Sequence, residues 1–144
     1  MIVQFLALVG TGVFAGLAAI HVRWTFTGPG SFTAGVPTRP DGSPVLSPGP
    51  VAAFGVAALL VASGWILLER AGLGPGFLAA PAPAIGSAGV AVVLLLRGIG
   101  DFRYVGLFKR VRDTPFARMD SGVYTPLVLV LAAVAGLVAA LGAG

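Results

Sequence analysis

Four apolar segments, each close to the length a helix needs to cross a bilayer, govern what this chain can fold into. They run from about Ile2 to Ile20, Val51 to Leu68, Phe77 to Leu96 and Val123 to Leu141. About 20 apolar residues in helical form span the hydrocarbon core. Lipid offers no partner to a free N–H or C=O, so only helices and closed barrels cross it, and these runs lack the alternation of barrel strands. The chain is 57% hydrophobic and 10% charged, whereas about a quarter of the residues of a soluble domain are charged. Most of its surface therefore faces lipid. The sequence predicts an all-α integral membrane four-helix bundle, one domain over residues 1–144 with helices at about 2–24, 51–68, 77–97 and 123–141. Many of the 22 Gly lie inside the apolar runs, where they let neighbouring backbones approach closely. The first segment has no Lys or Arg before it and no small-x-small cleavage site after it, and reads as a retained helix and not a signal peptide.

The connections differ in character. Residues 25–50 are rich in Gly, Pro, Ser and Thr and carry only Arg39 and Asp41, which predicts a long loop. Residues 69–76 are a tight link. Residues 98–122 are polar and basic. Within them Phe102, Val105, Phe108 and Val111 fall at helical spacing, the pattern of a short interfacial amphipathic helix. Arg23, Arg39, Arg97, Arg103, Lys109, Arg110, Arg112 and Arg118 share one side of the membrane, and only Arg70 lies on the other. The positive-inside rule then places both termini outside and loops 25–50 and 98–122 in the cytoplasm.

That topology gathers the polar chemistry at one face. His21 and Trp24 end the first helix, Arg97 and Asp101 end the third, and Asp120 and Tyr124 open the fourth. Arg97 and Asp101 are four apart and pair if the helix continues. If Gly98 and Gly100 break it, free backbone N–H groups join the site instead. Arg97, Arg103 and such N–H groups suit a phosphate or carboxylate. The candidate ligand-binding set is His21, Trp24, Arg97, Gly98, Gly100, Asp101, Arg103, Asp120 and Tyr124, with His21, Asp101 and Asp120 as candidate acids or bases. Each has a plainer alternative: a snorkelling anchor for Arg97, a helix cap for Asp120, interface aromatics for Trp24, Tyr104 and Tyr124, a structural hydrogen bond for His21. Arg103, Lys109, Arg110, Arg112 and Arg118 read as topology determinants and headgroup contacts. With no Cys and one His, thiolate chemistry and Cys-bound metals are excluded, and no metal or cofactor is expected. The Gly98-x-Gly100 pair follows no strand, so it is not a dinucleotide motif. No basic stretch is interleaved with aromatics in a soluble domain, so no nucleic-acid partner is expected. A four-position echo, His21-Val22-Arg23-Trp24 and Asp101-Phe102-Arg103-Tyr104, 80 residues apart, is too short to establish a duplicated two-helix unit.

His21-x-x-Trp24 with Gly28 after it, Arg97-Gly98-x-Gly100-Asp101-Phe102-Arg103-x-x-Gly106, Phe116-Ala117-x-x-Asp120 and Tyr124-x-Pro126-Leu127 resemble the DUF3995 family of small bacterial membrane proteins. The resemblance covers nearly the whole chain and is most specific from Arg97 to Leu127. It implies a bacterial inner-membrane location and no established activity. The residues themselves leave three functions open. The first is binding of an anionic lipid headgroup, or an accessory role through homo-oligomer or larger-complex contacts. The second is a small enzyme acting on a lipid or isoprenoid, with His21 as acid/base, which requires a carboxylate within hydrogen-bond reach of it. The third is a transporter or channel subunit, ranked last because no ionisable residue lies mid-helix.

Overall fold

The structure is a computed structural model that describes residues 1–27 and 34–142. Its elements are α1 (Ile2–Thr27), α2 (Pro50–Arg70), α3 (Ala82–Ile99), α4 (Pro115–Met119) and α5 (Thr125–Leu141). A π-helical turn over Asp120–Tyr124 joins α4 to α5 in one continuous rod. Four helices are long and apolar enough to cross a membrane: α1, α2, α3 and the α4–α5 rod. Only 17–28% of the apolar window of each is buried inside the protein. Phe5, Leu59, Val93 and Val130 on the outer faces are all more than half exposed, a surface that lipid, and not water, accommodates.

The main packing interfaces are α1 on α2 and α3 on α5, with lesser contacts of α2 on α3 and α1 on α5 completing the bundle. Ala7, Phe14, Leu67, Leu131, Ala135 and Val138 form the buried core. Small residues set the helix separations, as expected where burial in lipid tails gives no hydrophobic drive. At Gly64 a Cβ would sit 3.0 Å from the Thr11 methyl, and the Thr11 hydroxyl donates across the interface to the Gly64 carbonyl at 3.0 Å. At Gly98 a Cβ would run into Leu129 of α5.

Two boundaries and one expected element depart from the sequence reading. α3 begins at Ala82 and not near Phe77, because Pro81 and Pro83 lack the N–H groups a helix interior needs and Pro83 fits only in the first turn. The last span begins at Pro115 and not near Val123. Thr114 caps it, its hydroxyl accepting from Ala117 N at 3.1 Å, with Pro115 in the first position. The stretch 102–111 is irregular and holds no helix. Gly100 and Gly106 take positive φ (94° and 88°), and a Cβ on either would collide with the other strand of the loop. Asp101 Oδ1 accepts from the N–H groups of Arg103, Tyr104 and Val105 at 2.9, 2.7 and 2.9 Å, so the carboxylate takes donors that would start a helix. The echo has no structural counterpart either: its first copy is helical and its second lies in this loop. The described part of the first long loop, 34–49, folds into a tight turn in which Asp41 accepts from Ser43 N at 2.9 Å and Val45 N bonds Pro37 O at 2.8 Å.

The Gly98 contact predicts a clean contrast. Gly98→Ala should cost ~1–3 kcal/mol through overpacking against Leu129, read as a lower melting temperature in detergent. Gly89→Ala, which meets nothing within 4 Å, should melt at or slightly above the parent.

Candidate functional site at one end of the bundle

The centre of the polar end is Asp120, which has no exposed surface. Its Oδ1 accepts from Arg97 Nη2 at 2.6 Å. Its Oδ2 accepts from Lys109 Nζ at 3.0 Å, Gly106 N at 2.9 Å and Thr125 Oγ1 at 3.1 Å. Lys109 also donates to Gly106 O at 3.1 Å, and Arg97 Nη1 lies 3.5 Å from Thr125 Oγ1. The two cations differ in access. The Lys109 side chain is 2% exposed and that of Arg97 is 29% exposed. A buried carboxylate is tolerable only when opposite charges and hydrogen bonds replace its water, and here two cations and two neutral donors do so.

Several expectations change. Arg97 pairs with Asp120 and not with Asp101. α3 ends at Ile99 with Gly100 capping it, so Asp101 has left the helix face that Arg97 occupies. Asp120 does not cap the last helix: it lies inside the rod, and Thr114 is the cap. Lys109 is no headgroup contact, being buried and paired. Gly98 packs against Leu129, and its backbone serves helix contact, not an open N–H site. Arg103 stays outside the cluster, its guanidinium 5.2 Å from the Tyr104 ring. Gly28 lies outside the described residues.

Beside the cluster, a cleft of about 650 Å³ opens between the helices. Phe14, Leu60, Leu94 and Leu131 form apolar wall, and His21, Arg23, Trp24, Arg97 and Tyr124 give it polar groups. The polar groups come from the end of α1, the end of α3 and the early part of the last span, so the helices alternate in direction and bring residues a hundred positions apart together. The His21 and Trp24 rings meet edge-on at 5.0 Å. His21 Nδ1 lies 2.8 Å from Leu17 O. A carbonyl only accepts, so Nδ1 carries the proton and Nε2 of the neutral ring is an acceptor. Among the described residues no hydrogen bond joins His21 to a carboxylate. Tyr124 packs on Phe116, centroids 5.9 Å apart, and donates to Ala34 O at 3.2 Å, tying the first long loop to the last span.

Lys109, Thr125, Gly106 and Thr114 were not singled out as site residues by their sequence context. Thr114-Pro115 is a readable cap signal. Lys109 offers a weaker one, as the single Lys among nine basic residues.

The fold and this cluster define a multi-pass, all-helical membrane protein with a charged network buried at one end of its bundle. The chain belongs to the family described as protein of unknown function DUF3995, whose model matches residues 14–135, a span that includes the cleft and the whole network. No curated protein and no solved structure matches it.

Two predictions arise here. Asp120→Asn leaves Lys109 buried without its anion and should destabilise on the order of 3 kcal/mol. Adding Lys109→Met should restore part of that loss, and a double-mutant cycle by thermal unfolding in detergent measures the coupling; strict additivity would contradict a direct pair. Outside the spans, burial pushes the Asp101 carboxyl up, but the N–H groups of Val105, Arg103 and Tyr104 outweigh it and hold it below the usual carboxylate range. A lowered folded pKa makes the contribution full above the unfolded value of about 4 and lost as pH falls through the folded one. Amide-exchange protection at Arg103–Val105 should therefore hold from neutral pH to about 4 and drop below it, and Asp101→Asn, whose Oδ1 still accepts but does not titrate, should show weaker protection without that pH step.

Proposed function

We propose that the protein binds a lipid-like amphiphile in the interhelical cleft, its apolar chain along the helix walls and its anionic head at Arg97 and Arg23. The supporting observation is the charge count where the cleft meets the network. Asp120 balances one of the two cations that contact it, so Arg97 and Lys109 together keep one positive charge in excess. Arg97 is the partner with exposed surface and it lines the cleft, as does Arg23. An excess cation in a largely apolar cleft favours an anion carrying its own apolar body. Trp24 and Tyr124 supply aromatic surface near the polar end, with the buried Phe116 behind Tyr124. With eight basic residues at this end, the positive-inside rule makes it the cytoplasmic end, with both termini outside. In a bacterial cell that membrane is the inner one.

His21 serves this reading as a polar group of the cleft wall, oriented through Nδ1 by Leu17 O, while the carboxylates of Asp101 and Asp120 accept from other donors. Leu60→Trp should fill the cleft and Arg23→Ala should remove a head contact without touching Asp120. Native mass spectrometry of gently extracted protein should show anionic lipid retained on the parent and reduced at least several-fold in both variants at unchanged melting temperature. Equal retention in parent and both variants would overturn the proposal.

A further inference from the structure

The loop between α3 and α4 carries an apolar tip that the bundle does not cover. Phe102, Leu107 and Phe108 are 57%, 51% and 59% exposed. The Phe102 and Phe108 rings stack on each other with centroids 6.1 Å apart, so much of each ring faces outward.

This display is held from below. Leu107 N bonds Gly98 O at 2.9 Å and Phe108 N bonds Ile99 O at 3.4 Å, both to the last turn of α3. Arg110 N and Val111 N bond Arg103 O at 3.1 and 2.9 Å. Gly106 N and Lys109 Nζ anchor the base of the loop to Asp120. Phe102 has φ 61°, a left-handed conformation that a bulky residue seldom adopts and that persists only when its surroundings enforce it. A strained, tied-down backbone that presents two stacked rings is not what a water-exposed turn needs.

Charge and position say what covers the tip. Lys109 turns inward, whereas Arg103, Arg110 and Arg112 in the same stretch are exposed. The loop leaves α3 at Ile99 and enters the last span at Pro115, so its short return path keeps it at the height where the spans leave the hydrocarbon. Aromatic rings flanked by arginines at that depth match the boundary between acyl chains and anionic headgroups.

We propose that Phe102, Leu107 and Phe108 form an interfacial wedge that dips into the leaflet at the cleft end, with Arg103, Arg110 and Arg112 on its anionic headgroups. The wedge is independent of whether the cleft holds a ligand. The chain has no Cys, so a single spin label can be placed at will. Phe108→Cys, spin-labelled in nanodiscs of mixed zwitterionic and anionic lipid, should be more accessible to oxygen than to a water-soluble nickel chelate. It should resemble Leu59→Cys on the lipid face of α2 and not Asp113→Cys on the aqueous side. Leu107→Cys gives the same reading should the first variant fold poorly. Removing the anionic lipid should move the label toward the aqueous reading, and Arg103→Gln with Arg110→Gln should do the same. Higher access to nickel than to oxygen in anionic discs would overturn the wedge. Low access to both reagents would overturn it too, because the tip would then be covered by protein. A position that ignores both lipid charge and the Arg substitutions would overturn the assignment to anionic headgroups.

Discussion

Asp120 sits where no water reaches it, and four donors from three parts of the chain meet its two oxygens: Arg97 from the end of α3, Gly106 and Lys109 from the basic loop, and Thr125 from the start of α5. Taking a carboxylate out of water costs several kcal/mol even in a relaxed protein, so this group is tolerated there only because its partners are held in place. The dependence is mutual. The loop has no helix or strand of its own, and the Gly106 and Lys109 bonds to that carboxylate anchor its base beside the bonds it makes to the end of α3. Arg97 would otherwise leave its charge beside the apolar end of the bundle.

The π-helical turn is part of the same arrangement. In a regular α-helix a residue five positions on lies about 140° round the axis, so Asp120 and Thr125 would face different neighbours. The wider turn over Asp120–Tyr124 realigns them, and the Thr125 hydroxyl reaches Oδ2 at 3.1 Å. Such turns are often found at functional sites, and here the turn lies between the network and the cleft wall formed by Met119, Tyr124 and Leu127. Arg97 belongs to both. One nitrogen holds Asp120 while the side chain retains exposed surface in the cleft, so an anion in the cleft and the Asp120 carboxylate address the same guanidinium.

The spans were legible in the sequence because lipid imposes one rule on every residue of a span, and hydropathy reads that rule directly. The gathering of His21, Trp24, Arg97 and Tyr124 at one end was legible for a related reason, since four crossings alternate direction. What was not legible depends on three-dimensional pairing. Arg97 lies four residues from Asp101 and 23 from Asp120, and spacing favoured the nearer carboxylate. The structure reverses that because Gly100 turns the chain away and Asp101 spends its oxygen on three backbone N–H groups. The helical spacing of Phe102, Val105, Phe108 and Val111 was real as a pattern, yet the positive φ of Gly100, Phe102 and Gly106 excludes the helix it described. Lys109 was misplaced because a count of charges says where a membrane side is, not which charge is buried.

The two ends of the bundle solve the same problem differently. At the far end Glu69 and Arg70 are adjacent and opposite in sign. Glu69 accepts from Trp65 Nε1 at 3.0 Å and Phe77 N at 3.3 Å, and Arg70 reaches Ala139 O through Nε and Nη2 at 3.2 and 3.0 Å. That end carries one acidic and one basic side chain, and these contacts run to an indole N–H, a backbone N–H and a backbone carbonyl. The cleft end carries eight basic residues against four acidic ones, so the whole net charge of +4 resides there. Of those four acids, Asp41 and Asp101 turn their oxygens on their own loops, and Asp120 is shared by two cations. Closing helix ends at a membrane surface does not call for a surplus of this size on one side alone. Sidedness accounts for the exposed arginines, but not for a second cation on a fully buried carboxylate, nor for an arginine that keeps part of its surface in an apolar cleft. Those two features distinguish this end of the bundle from a set of helix caps, and they are what the binding proposal at Arg97 rests on.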